Sequence, residues 1–139
     1  MIFPSILLVE DDEVDVESFK RSFSKHKLMN PIVSAPDGFT ALDILRGNHE
    51  TTLVKPYIIF LDINMPRMNG LEFLRELRSD TTLAKNVVFI LTTSDSYKDR
   101  DEAYANHVAG YILKQNAGRD FGNAIRLLEN YQGVVTFPD

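Results

Sequence analysis

One feature constrains this chain more than any other. Short apolar runs alternate with segments whose apolar residues recur at helical spacing. The runs are Ser5–Glu10 (SILLVE), Asn30–Ala35, Tyr57–Leu61, Val87–Leu91 and Gly110–Leu113. Short continuous apolar stretches bounded by turn residues are expected of strands buried on both faces. Between them lie helical patterns. Asp12–Leu28 carries Val16, Phe19 and Phe23 on one stripe, and Asp37–Arg46 carries Phe39, Leu42 and Leu45 before Gly47 stops it. Leu71–Arg78 aligns Leu71, Leu74 and Leu77, Tyr97–His107 is mostly polar, and Gly118–Gln132 repeats Phe121, Ile125 and Leu128. Asn48–Pro56 reads as a polar loop, and Asp62–Gly70 as a second one, broken by Pro66, Asn69 and Gly70. Strand and helix thus alternate through five units. That order implies an α/β fold, a doubly wound five-stranded parallel sheet with right-handed crossovers and helices on both faces.

Composition narrows the function. A chain of 139 residues suits one domain with a real core. The net charge of -5 argues against a broad nucleic-acid-binding face. With no cysteine there are no disulfides, thiolate metal sites or cysteine nucleophile. The same absence suits a reducing compartment, and a cytoplasmic location is expected. His26, His49 and His107 are scattered, so a histidine metal site has little support. Runs such as Tyr57–Leu61 fall far short of the roughly 20 residues of a membrane helix, and no targeting segment is visible.

Parallel α/β sheets bind ligands at the carboxyl ends of their strands. In this chain those ends carry Glu10-Asp11-Asp12, Asp62 with Ile63 and Asn64, Thr92-Thr93-Ser94, and Lys114. A shared mouth would hold several carboxylates, a hydroxyl and one ammonium. Clustered carboxylates repel when ionised. A hard divalent cation resolves the conflict, and Mg²⁺ suits oxygen ligands of this kind. A carboxylate such as Asp62 can attack phosphorus and form an acyl phosphate. Mg²⁺ and Lys114 would neutralise the phosphoryl oxygens, with a hydrogen bond from the Thr92 hydroxyl.

The strings LLVEDD, FLDINMPRMNG, ILTTS and GYILK, taken in order, resemble the receiver domains of response regulators. Thirty residues separate Asp62 from Thr92 and twenty-two separate Thr92 from Lys114, spacings that fit that family. The resemblance spans nearly the whole chain and implies a flavodoxin-like sheet of order 2-1-3-4-5. It implies Asp62 as phosphoacceptor, and Glu10 and Asp11 as the acidic pair that holds the metal together with Asp62. Asn64 would offer its backbone carbonyl to the metal. Thr92 would be the switch hydroxyl, Lys114 the phosphate-contacting lysine, and Tyr111 the aromatic that swings inward on activation. Asn64 and Ser94 fall at two variable positions that tune autodephosphorylation. A single receiver domain over 1–139 is expected, with 133–139 an apolar extension. Such a domain is a phosphoacceptor that switches protein–protein contacts rather than an enzyme in the usual sense. Its expected partners are a sensor histidine kinase and a downstream protein, without nucleic acid or membrane. The loop before β-strand three and the tail resemble the single-domain regulators paired with cyanobacterial phytochrome-type kinases.

Some positions depart from the family or stay open. Gln115 follows Lys114 where receivers usually have proline in a cis bond, and a non-proline cis bond costs roughly 2.5–4 kcal/mol, so the bond is expected to be trans, or cis with visible compensating contacts. Thr93 is bulkier than the usual alanine or glycine and would narrow access to Asp62. Asp11 and Asp12 are also candidate helix caps. The tail Val134–Pro138 either folds back or pairs with a second chain as a homodimer. A haloacid-dehalogenase-type phosphohydrolase would need a carboxylate at position 64, where this chain has Asn64, and its motif after the first strand. A phosphorylation-independent adaptor is the other alternative, and the complete acid, hydroxyl and lysine set argues against it.

Overall fold

The computed structural model describes residues 3–138. Five parallel strands, β1 (Ser5–Val9), β2 (Ile32–Ala35), β3 (Tyr57–Leu61), β4 (Val87–Thr92) and β5 (Gly110–Leu113), form one sheet of order β2-β1-β3-β4-β5. Five helices follow them: α1 (Glu13–Lys25), α2 (Gly38–Leu45), α3 (Gly70–Ser79), α4 (Tyr97–Ala105) and α5 (Gly122–Val134). The expected fold class and strand order are both present. Among the described residues, no helix is long and apolar enough to cross a membrane.

Alternation along the central strands divides the core in two. Leu7, Val9, Ile59, Leu61, Val88 and Ile90 face α2, α3 and the inner edge of α4. Ile6, Leu8, Ile58, Phe60, Phe89 and Leu91 face α1 and α5, meeting Phe19, Phe23, Ile125 and Leu128. Both faces are covered, which explains why β1, β3 and β4 read as unbroken apolar runs rather than alternating ones. On the second face an aromatic chain runs from Phe23 through Phe19, Phe60 and Phe89 to Tyr131, with centroid separations of 5.1–5.5 Å.

Helix starts follow from capping residues. Asp12 accepts hydrogen bonds from the Val14 and Asp15 amides, Asp37 from Thr40, and Ser96 from Asp99. Asn69 and Glu72 form a reciprocal capping box at α3, which satisfies two amides that a helix start leaves unpaired. Of the two candidate caps, Asp12 is therefore the one used, and Asp11 is left exposed beside it.

The structure corrects three details. Phe39 is exposed, and the buried face of α2 is Ala41, Leu42, Ile44 and Leu45. The Phe39 ring instead lies under the Arg67 guanidinium at 5.2 Å, and Arg67 also pairs with Asp37 at 3.0 Å. The final helix starts at Gly122 rather than Gly118. Gly118, Asp120 and Phe121 adopt positive φ values of 83°, 51° and 62°, which end one short helical turn before the next begins. Its last turn also runs to Val134, so the extended tail starts at Val135. That tail turns back on its own domain: Phe137 packs on Tyr131 at 5.9 Å and, with Pro138, lines a pocket together with Lys55 and Pro56.

A candidate phosphoacceptor and cation site

Sheet register builds the site. Val9 pairs with Leu61, so the next residues, Glu10 and Asp62, emerge side by side. The backbone continues the ladder for one more bond, from the Asp62 amide to the Val9 carbonyl at 3.0 Å. Both carboxylates are buried, at 4% and 7% exposure, while Asp11 is exposed. One oxygen from each of Glu10, Asp11 and Asp62 lies within 4.8 Å of the other two. Three hard oxygen donors this close, two of them desolvated, fit a divalent cation of the Mg²⁺ or Mn²⁺ type.

Lys114 enters from the opposite side of the mouth. Leu113 pairs with Thr92 at the tip of β5, and Lys114 then opens a short 3₁₀ turn, Lys114–Asn116. Its ammonium stands 2.6 Å from Glu10 Oε1, 2.7 Å from Asp15 Oδ2 and 3.4 Å from Asp62 Oδ2. The Lys114–Gln115 bond is trans, and the cis bond among the described residues is Lys55–Pro56. Burial by itself would lower the Lys114 pKa, but hydrogen bonds from its ammonium to Asp15 and Glu10 outweigh that and keep it above the ordinary lysine value. Burial raises Glu10 to about 7, and the neighbouring Asp62 charge adds to the rise, against the lowering effect of Lys114. The cluster therefore holds more acid than one ammonium can balance.

Gly70 backs Asp62. A Cβ at that position would overlap the Asp62 carbonyl oxygen and lie 2.8 Å from the Ile63 Cα. The Gly70 amide donates to the Ile63 carbonyl at 2.8 Å, so α3 begins directly against the main chain of Asp62 and Ile63. Asn64 is exposed, and its amide donates to Asp62 Oδ1 at 3.4 Å.

Thr92 is fully buried, and its hydroxyl oxygen accepts from the Ser94 amide at 3.3 Å. Tyr111, half-buried on β5, donates from its hydroxyl to the Ser94 carbonyl at 2.7 Å, and burial pushes its pKa up. The Ser94 hydroxyl in turn donates to Asp99 of α4 at 2.6 Å. Thr92, Tyr111 and the start of α4 therefore all meet at one residue, Ser94. Thr93 is exposed, and its carbonyl accepts from the Gln115 side chain at 3.5 Å.

Of the residues expected at the strand ends, Glu10, Asp11, Asp62 and Lys114 come together, while the Thr92 hydroxyl meets Ser94. Two contributors were not legible in the sequence. Asp15 lay within a polar stretch of α1, and only the packing of α1 against the segment after β5 brings it to Lys114. Asp99 carried a faint signal as a first-turn acid of α4, where the helix dipole favours negative charge.

Comparison with known proteins agrees with the geometry. The response regulator receiver domain model matches residues 6–126. A probable methanogenesis regulatory protein, FilR2 of Methanothrix harundinacea, is 32% identical over 126 residues, covering 91% of this chain and 81% of that protein. The Mn²⁺-bound form of response regulator Rcp1 superposes with a TM-score of 0.86 at 28% identity, covering 99% of this chain and all of that one. The phosphorylated cyanobacterial phytochrome response regulator RcpA gives 0.83 at 29% identity, with 99% and 100% coverage. With the sheet order, the strand-end acids and the family match in agreement, the chain belongs to the response regulator receiver domains of two-component signalling.

Proposed function

We propose that this receiver accepts a phosphoryl group on Asp62 from a histidine kinase in a Mg²⁺-dependent reaction and so switches its protein–protein contacts. The observation that carries this reading is the meeting of Glu10, Asp11 and Asp62 oxygens within 4.8 Å, with the Lys114 ammonium 3.4 Å from Asp62. Glu10, Asp11 and Asp62, with the Asn64 backbone carbonyl, are the residues that would hold Mg²⁺. When bound, the ion supplies charge neutralisation for phosphoryl oxygens.

An Asp62 oxygen attacks the phosphorus of a phosphohistidine. The P–N bond breaks, its electron pair stays on the imidazole, and the phosphoryl group ends on Asp62 as an acyl phosphate. Lys114 stays protonated and pairs with one phosphoryl oxygen, and the Thr92 hydroxyl donates to another. Movement of Thr92 pulls on the Ser94 junction, where the Tyr111 hydroxyl and Asp99 are held. That gives the β4–α4 segment two arrangements whose populations depend on phosphorylation. The domain receives and loses one phosphoryl group and turns over no separate substrate. The likeness to RcpA and Rcp1 supports a phytochrome-type kinase as partner, a cytoplasmic setting, and a downstream protein as reader.

The test is incubation with acetyl phosphate and Mg²⁺, read by intact mass. Wild type is expected to gain one phosphoryl group, and Asp62→Asn to gain none. No gain in wild type, or a gain retained in Asp62→Asn, rejects the assignment.

A further inference from the structure

We propose that Asp15 is a positioning residue for Lys114: it offers the ammonium a seat outside the Glu10–Asp11–Asp62 triad, so the triad can be given up to a divalent cation. The inference rests on the reading of that triad as the cation site.

Lys114 sits on two of the triad's three carboxylates, 2.6 Å from Glu10 and 3.4 Å from Asp62. An ammonium and a divalent cation repel each other and want the same oxygens. Cation entry therefore requires Lys114 to move off. It cannot move far, because its side chain is only 11% exposed and its backbone is fixed between β5 and the 3₁₀ turn. A buried ammonium without an acceptor is costly, so the retreat needs a partner within a small tilt. Asp15 Oδ2 is that partner at 2.7 Å, and Asp15 is not one of the triad. Its backbone is pinned: the Asp15 amide donates to the Asp12 cap at 3.2 Å, in the first turn of α1. The seat therefore stays in place whether or not Lys114 still touches Glu10.

A plain charge effect would also make Asp15 favour cations, so the test must separate the two. Mn²⁺ binding to the full chain is measured by electron paramagnetic resonance of the free ion, in a cycle of wild type, Asp15→Asn, Lys114→Ala and the double variant. Asp15→Asn is expected to weaken Mn²⁺ binding about tenfold when Lys114 is present and less than about twofold when it is absent, a coupling of ordinary size for contacting residues. Asp15→Glu is expected to restore most of the loss. Lys114→Met replaces Lys114→Ala if circular dichroism shows the alanine variant unfolded. Equal weakening in both backgrounds, no weakening in either, or a wild type that does not bind Mn²⁺ overturns the proposal. The reading of Asp62 as acceptor is decided separately, by the mass gain with acetyl phosphate.

Discussion

Two ionic clusters tie α1 to the segment that follows β5, and their charge imbalances are opposite in sign. At the mouth, one ammonium, Lys114, faces three acids, Glu10, Asp15 and Asp62. Further down α1, one acid, Asp120, faces two cations, Arg21 at 3.3 Å and Lys25 at 3.0 Å. The first cluster is buried. The cations of the second are 53% and 58% exposed, so water screens them. The same pairing chemistry serves different ends. The exposed cluster holds a shape, the left-handed turn at Asp120 and Phe121. The buried one holds an excess of negative charge in low dielectric, which a bound cation or phosphoryl chemistry can use.

The contrast predicts unequal consequences. Lys114→Ala removes the one cation from the buried cluster and leaves Glu10 and Asp62 unpaired. It should destabilise the cation-free domain by about 3 kcal/mol in urea unfolding, with much of the loss recovered in saturating Mg²⁺. An unchanged urea midpoint would break the comparison at its strongest point.

A smaller effect is expected from pH. Glu10 is raised to about 7 in the fold against an ordinary value of 4.5. Between those values the folded state keeps a proton that the unfolded chain has released. Stability should therefore fall as pH rises through that window and level off above about 7. With allowance for screening, the fall is roughly 2 kcal/mol in the absence of divalent cations. Glu10→Gln should flatten this part of the profile, and a profile with the same slope in both proteins would count against a strained Glu10.

The smallest effect belongs to Asp120→Asn, which removes the charge while keeping a residue tolerant of the left-handed region. Hydrogen bonds from Lys25 and Arg21 hold the Asp120 carboxyl below its ordinary value of 3.8. Its contribution is present above that value and lost as pH falls through the folded one. The melting-temperature difference from wild type should thus be slight at neutral pH, vanish in acid, and vanish in about 1 M salt. A large, salt-insensitive difference would mean that the exposed cluster does more than hold a turn.

How far the sequence reveals the molecule depends on the range of the interactions involved. β3 lies where its apolar run places it, because burial on both faces leaves a local signature. The convergence of Glu10, Asp62 and Lys114 was legible for a topological reason: parallel strands bring all their carboxyl ends to one edge. Asp15 was not legible, since its role depends on contact with Lys114 in the turn after β5, ninety-nine residues away in sequence. Phe39 misled because an aromatic at helical spacing looks like core until Arg67, from a different loop, offers its face a cation. The start of α5 was misplaced for a similar reason. The acid of the left-handed turn before it, Asp120, pairs with Arg21 and Lys25 from the first helix, which no local pattern announces.

The bare α-carbon of Gly70 has a mechanical consequence. With no side chain between them, the Asp62 main chain and the first turn of α3 are in direct contact. A strain of a few tenths of an ångström at Asp62 would pass into α3 without a compressible layer to absorb it, and the capping box at Asn69 and Glu72 keeps that end of the lever stiff.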